Sequence, residues 1–216
     1  MTSTTSTTST RSSKSSSPDV ADAHFKKHTW EDLKGIISKN DLASLRRVPS
    51  DLARYRSWSV GIKQEYGDLN NFLLKHRLRW TPISTTPNLR FEIHSPVPFT
   101  DPRDYTIINN DWPYGVSPGI VHICTWSKVP IATDPESGDV TDESRRVIEE
   151  FVKRVFVERI RKEGFEDADD KVMWFKNWAA LQSVPGLEHV HVLVRDVPEK
   201  LVEEWTGEKR INGGID

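Results

Sequence analysis

A single cysteine, Cys124, excludes an internal disulfide framework and a four-cysteine zinc site, and such usage points to a reducing compartment. No apolar run approaches the roughly 18 to 20 residues of a membrane-spanning helix. The N-terminus also lacks the apolar centre of a secretory signal. Nor is there a basic excess: 30 Lys and Arg against 32 Asp and Glu leave a formal net charge of -2. That balance argues against a nucleic-acid partner and leaves room for a small anionic ligand held by local charge. GxGxxG, P-loop and internal repeats are missing as well. The expectation is a soluble intracellular protein, cytoplasmic with the nucleus left open, having neither membrane nor nucleic-acid partner.

The first 18 residues are almost wholly Ser and Thr, with Arg11 and Lys14 their only charges. Such a segment cannot bury enough apolar surface to offset the entropy of ordering, so a disordered tail is expected over 1–22. Its freedom from acids resembles a mitochondrial transit peptide, without the amphipathic face of one. A single α+β domain is expected over 23–216, with a helical part at 23–82 and a core at 105–195.

Thr29 and Asp32 form a capping-box-like start to the first helix, whose stripe is Leu33, Ile36 and Ile37. Further helices are expected from about Ser50 to Tyr66 and from Asp68 to near Trp80. Five prolines between 82 and 102 forbid long regular structure there, leaving Arg90–Ile93 as a short edge strand and His94 in solvent. Strands follow at Tyr105–Ile108 and Ile120–Trp126, separated by the turn formers of Asn109–Gly115. The clearest helix opens at Thr141 and closes before Gly164, with apolar positions from Val147 to Ile160 at helical spacing. Lys171–Lys176 forms a third strand, and a last helix follows Pro198. Strand, strand, long helix, strand, strand predicts an antiparallel sheet with a helix packed on it.

The fourth strand carries the chemistry. Val190, Val192 and Val194 are β-branched at every second position, which suits a pleated surface. His189 and His191 then share the other face, about 7 Å apart by a rise of ~3.3 Å per residue. Neutral imidazole is a competent nucleophile or general base near pH 7, and a second one, if protonated, stabilises developing phosphate charge. Ser183 and the backbone after Pro185-Gly186 suit a phosphate, Asn177 a sugar hydroxyl, and Lys128 adds a point charge. Trp112, Trp126, Trp174 and Trp178 lie near this region in sequence and are candidates either for stacking or for the core. Trp112, in its turn-forming loop, is the best ligand candidate among them. Cys124 reads as a small buried residue.

Asp111, Pro118, His122 and Lys128, then Asn177, Gln182-Ser183-Val184 and His189-Val190-His191-Val192-Leu193, resemble in order the histidine-triad nucleotide-binding superfamily. The resemblance implies a nucleotide or nucleotide-sugar ligand and a nucleophilic middle histidine, at His189. It departs at the first of three alternating histidines, where Leu187 stands, and one residue is added between Gln182 and the pair. The segments NDWPYG, HICTWSK and FKNWAALQSV are closer to a fungal family described as N-acetylglucosamine-induced protein 1, over about residues 25 to 205. That likeness implies a link to the amino-sugar response and little chemistry.

The candidate site is thus His189 and His191 as catalytic residues, with Asp111, Trp112, His122, Lys128, Asn177, Gln182 and Ser183 binding a phosphorylated small molecule. No cofactor is expected, and no metal: zinc on His189, His191 and His122 is chemically possible, yet the spacing does not demand it. Two alternatives stay open: the histidines form a partly buried pair satisfied by backbone and water, or the protein is a non-enzymatic binding or interaction module. The histidine-triad resemblance also implies a homodimer through the helices.

Overall fold

The computed structural model describes residues 18–85 and 88–209. Residues 1–17 of the expected tail, and Pro87 in the proline-rich stretch, lie outside them. The expected class is what the structure shows, an α+β fold on a four-stranded antiparallel sheet. Its strands are β1 (Tyr105–Asn109), β2 (Ile120–Ser127), β3 (Val172–Phe175) and β4 (Glu188–Arg195), in the order β1-β2-β4-β3. β4 is central and pairs with both β2 and β3.

One face of the sheet carries Val121, Ile123, Val190, Val192 and Val194, all buried. Over it lies the long helical segment 142–162, in three continuous parts: α5 (Asp142–Val152), a π-helical turn Lys153–Val157 and α6 (Glu158–Lys162). Thr141 caps it, its hydroxyl accepting from Ser144 N at 3.2 Å, as the sequence expects. Ile148, Phe151, Val152 and Phe156 face the valines. The π turn adds a residue to one turn of the ladder, so Phe156 and Val157 are both buried. α7 (Glu199–Thr206) completes this layer through Leu201 and Val202.

The helical N-terminal part is not peripheral, because it covers the other face of the sheet. α1 (Pro18–Ala23), α2 (Trp30–Ser38) and α3 (Pro49–Tyr66) come first, followed by α4 (Leu69–Phe72), which continues as a π-helical Leu73–Leu78. The capping box at the start of α2 is formed in both directions, Asp32 N to Thr29 Oγ1 at 3.1 Å and Thr29 N to Asp32 Oδ2 at 3.0 Å. Trp30 and Leu33 of α2 pack with Leu193, while Leu69, Leu73 and Leu74 pack with Cys124, Trp126 and Leu187. A sheet with both faces covered buries every residue of β2.

The edge strand expected at Arg90–Ile93 does not form, and Ser84 with Arg90 makes an isolated bridge instead. The fully buried Asp104 carboxylate accepts from His94 N at 2.7 Å and Ser95 N at 2.8 Å, so a side chain satisfies the amides just beyond that stretch. His94 stays exposed while its Nδ1 sits 3.0 Å from Asp104 Oδ1.

Residues 22–28 form a strap across the Asn109–Gly115 loop. His28 N donates to Gly115 O at 2.9 Å and Ser117 N to His28 O at 2.9 Å. A Cβ on Gly115 would meet Phe25 Cε1 at 2.3 Å, so the ring seats only against a bare backbone. Gly115→Ala is therefore expected to destabilise the fold by about 1–3 kcal/mol through overpacking. Urea unfolding midpoints test this, and an unchanged midpoint would show that Phe25 is not seated as described.

Candidate functional site

The pairing of β2 with β4 sets Cys124 opposite His191 and Trp126 opposite His189. With two-residue alternation, His122, Cys124, Trp126, His189 and His191 all project from the face that the N-terminal helices cover. The lid of helices leaves a cavity of about 120 Å³ there, room for one aromatic ring or one phosphoryl group. Its wall is largely aromatic, from Tyr55, Trp58, Trp112, Tyr114 and Trp126. The polar lining comes from Arg47, Asn110, Asp111, Asn177, Ser183, His189 and His191.

His189 is the best-defined group in the cavity. Its ring stacks on Trp126, centroids 4.3 Å apart, and its Nδ1 is 2.9 Å from the Leu187 carbonyl. A carbonyl only accepts, so Nδ1 carries the proton and Nε2 holds the lone pair. Burial lowers the His189 pKa to about 4, the Leu187 carbonyl opposing, and the ring is neutral at pH 7.

His191 sits in a chain of polar groups. Its Nδ1 is 2.9 Å from His122 Nε2 and 3.4 Å from Cys124 Sγ, and its Nε2 is 3.1 Å from Asn177 Nδ2. Tyr114 stacks on His122, and its hydroxyl accepts from Asn177 Nδ2 at 3.3 Å. Burial lowers His122 to about 3 and holds His191 well below the usual range, with neighbouring histidines and Arg47 adding to both. Burial likewise pushes the Cys124 thiol up. Among the described residues, two groups bring three metal-ligating side chains together: His122, Cys124 and His191, and the more exposed His94, Asp101 and Asp104.

The structure therefore brings His189, His191, Asp111, Trp112, Asn177 and Ser183 to one cavity, with His122 directly behind His191. Asp111 is held by Arg77, whose Nη2 is 2.9 Å from Oδ1 and Nε 3.0 Å from Oδ2. Asn177 faces His191, and Gln182 braces the Asn177 carbonyl through its Nε2 at 2.9 Å. Lys128 is elsewhere: its Nζ lies 5.6 Å from the centre of the Trp80 ring, past the end of β2. Trp174 stands on the opposite face of the sheet, beside Arg145.

Arg47, Tyr55 and Trp58 were not legible as site residues. They lie well before the core, and nothing in Arg46-Arg47 before Pro49 marks one arginine as inward. Arg47 Nε donates to the Trp112 carbonyl at 2.9 Å, and its guanidinium lies 4.7 Å from the Tyr55 ring centre and 5.5 Å from that of Tyr114. No carboxylate among the described residues pairs with it. The cavity accordingly holds a fixed cation beside a neutral imidazole.

Three buried neutral histidines make stability depend on pH. Their ordinary pKa near 6.5 applies when unfolded, and the folded values lie at about 4, about 3 and well below 6.5. Their contribution is thus complete above pH ~6.5 and falls as pH drops toward 4, because only the unfolded chain takes up the protons. His28, also lowered by burial, acts in the same direction, and Asp111, raised by burial, opposes. Three protons at about 1.4 kcal/mol each give a loss of up to about 4 kcal/mol per pH unit near pH 5. Urea titrations between pH 7 and 4.5 measure the slope, and His189→Phe should reduce it by about a third. A flat profile would mean that the histidines are not buried neutral.

Comparison with known proteins places the chain. Residues 29–195 match the family described as "Protein of unknown function (DUF3605)". N-acetylglucosamine-induced protein 1 of Candida albicans is 31% identical over 187 residues, covering 82% of this chain and 71% of that protein. The uncharacterized protein YPL067C of Saccharomyces cerevisiae is 30% identical over 167 residues, 76% of this chain and 77% of that one. Among solved structures, the crystal structure of HTC1 is similar, with TM-score 0.57 and 26% identity over 80% of this chain and 86% of that one. The chain belongs to the DUF3605 family and is homologous to the Candida N-acetylglucosamine-induced protein.

Proposed function

We propose that the protein binds a phosphorylated small molecule, a nucleotide or nucleotide sugar, and transfers or hydrolyses its phosphoryl or nucleotidyl group through His189. The observation that carries this reading is the tautomer of His189. With Nδ1–H committed to the Leu187 carbonyl, Nε2 is a neutral nucleophile in a cavity that also holds the Arg47 guanidinium, which has no carboxylate partner among the described residues. Nε2 forms a bond to phosphorus as the bond from phosphorus to the leaving group breaks, and the leaving group takes its proton from water. The Leu187 carbonyl stabilises the positive charge the ring acquires. Water then cleaves the N–P bond and regenerates the neutral ring.

Arg47 supplies charge to the equatorial oxygens, and the aromatic wall suits the apolar face of a base or sugar. The order of Asp111, His122, Asn177, Ser183, His189 and His191 is what the histidine-triad resemblance rests on. The relatives' names carry no activity, apart from the amino-sugar induction of one. A non-enzymatic ligand-binding protein in the amino-sugar response is the second reading, favoured by Leu187 where the superfamily has its first histidine.

Incubation with nucleoside phosphoramidates, dinucleoside polyphosphates and nucleotide sugars tests the proposal. Turnover of one class, with a phosphohistidine or nucleotidyl-histidine adduct trapped by acid-free mass spectrometry and missing in His189→Ala, is the expected result. Arg47→Gln should weaken binding of the same compound about 10- to 100-fold, the loss of a hydrogen bond to a charged group. A rise in melting temperature without product would favour the second reading. Neither turnover nor a shift with any compound would reject both.

A further inference from the structure

We propose that His122, Cys124 and His191 form a site for one divalent cation of the zinc class at the floor of the cavity. Their ligating atoms all lie within 4.8 Å of one another. His122 Nε2, at 2.9 Å, and Cys124 Sγ, at 3.4 Å, converge on the same atom, His191 Nδ1. That nitrogen has one proton or one lone pair, so it cannot make two full hydrogen bonds at once. A cation gives each of the three atoms its own bond. At Zn–N of about 2.05 Å and Zn–S of about 2.3 Å, tetrahedral geometry separates N from N by about 3.4 Å and N from S by about 3.6 Å. The two imidazole nitrogens part by about 0.5 Å and the sulfur moves about 0.2 Å from His191 Nδ1, while His122 Nε2 and Cys124 Sγ, within 4.8 Å of each other, settle at about 3.6 Å.

Asn177 supplies a second, independent observation. Its Nδ2 faces His191 Nε2, while its Oδ1 is buried without a hydrogen-bond partner. With Nδ1 on a cation, the ring proton of His191 sits on Nε2 and needs an acceptor. A half-turn of the amide, whose two ends have the same shape, brings Oδ1 to that proton. The orphaned oxygen and the outward proton then satisfy each other, as partners behind metal-bound imidazoles commonly do.

Two imidazoles and a thiolate select a borderline-soft cation over magnesium or calcium. Three protein ligands leave a fourth position, and because Cys124 and His191 line the cavity, water or a ligand oxygen completes the tetrahedron. The site is independent of the reaction proposed for His189, whose Nδ1 is held by Leu187 and whose ring is outside the ligand set.

Cys124 is the only cysteine in the chain, which makes the test direct. The full-length protein, stripped with a chelator, is titrated with Co²⁺. The expected result is a sulfur-to-cobalt charge-transfer band in the near ultraviolet, with intense tetrahedral bands in the visible. Both should saturate at one Co²⁺ per chain and be erased by one Zn²⁺. Cys124→Ser should lose the ultraviolet band, and Asn177→Leu should weaken Co²⁺ binding about 10- to 100-fold, with melting curves establishing that each variant is folded. Saturation without the charge-transfer band, or no saturable binding by the wild type, overturns the site whatever the variants do. His189-dependent turnover in a protein without the cobalt band would reject the cation and leave the reaction standing.

Discussion

The pairing of β2 with β4 is the constraint on which the rest of the molecule depends. Because side chains alternate with a period of two, one register fixes two faces at once. With Cys124 opposite His191, the valines meet Ile148, Phe151 and Phe156, while His122, Cys124, Trp126, His189 and His191 meet the N-terminal helices. A slip of β4 by one residue would send His189 and His191 into the apolar core and three valines into the cavity. The chemistry and the hydrophobic core are thus secured by the same ladder, and a variant that shifts the register loses both together.

The second layer of helices turns this face into a site. A histidine pair on an open strand would titrate near 6.5 and be hydrated. Under α2, α3 and α4 the same pair is desolvated and neutral. Burial also concentrates the cavity's charge on a few groups. Asp111 is neutralised by Arg77, which Glu208 also clamps through Nη1, and this leaves Arg47 as the cation facing the imidazoles without a carboxylate. The pocket therefore carries a fixed positive charge while its histidines stay neutral.

Much of this organisation was legible in the sequence, and what was missed shares one cause. Local signals held: the Thr29–Asp32 capping box, the Thr141 cap, the alternation of Val190, Val192 and Val194, and the turn formers of Asn109–Gly115 each produce the expected element. Long-range contacts were not legible. Arg47, Tyr55 and Trp58 look like surface or support residues until the fold brings α3 over the sheet. Lys128 keeps its spacing from His122 but not its place, since β2 ends at Ser127 and the side chain turns toward Trp80. At Arg90–Ile93 the expected strand is replaced by a local bridge from Arg90 back to Ser84, and Asp104 ties down the amides of His94 and Ser95 just beyond it.

Leu187 shows how the two layers are coupled. It lies two residues before His189, just ahead of β4. Here the side chain is almost fully buried among Ile62, Leu69 and Leu73, so the helical layer itself occupies the place. An imidazole there would have to leave a buried nitrogen without a partner, at a cost of about 1–3 kcal/mol. The position also acts through its backbone, since the Leu187 carbonyl fixes the proton on His189 Nδ1. No side-chain substitution at 187 removes that carbonyl. The tautomer and orientation of the His189 ring are therefore set by the backbone at the start of β4, and they persist for as long as the β2–β4 register does.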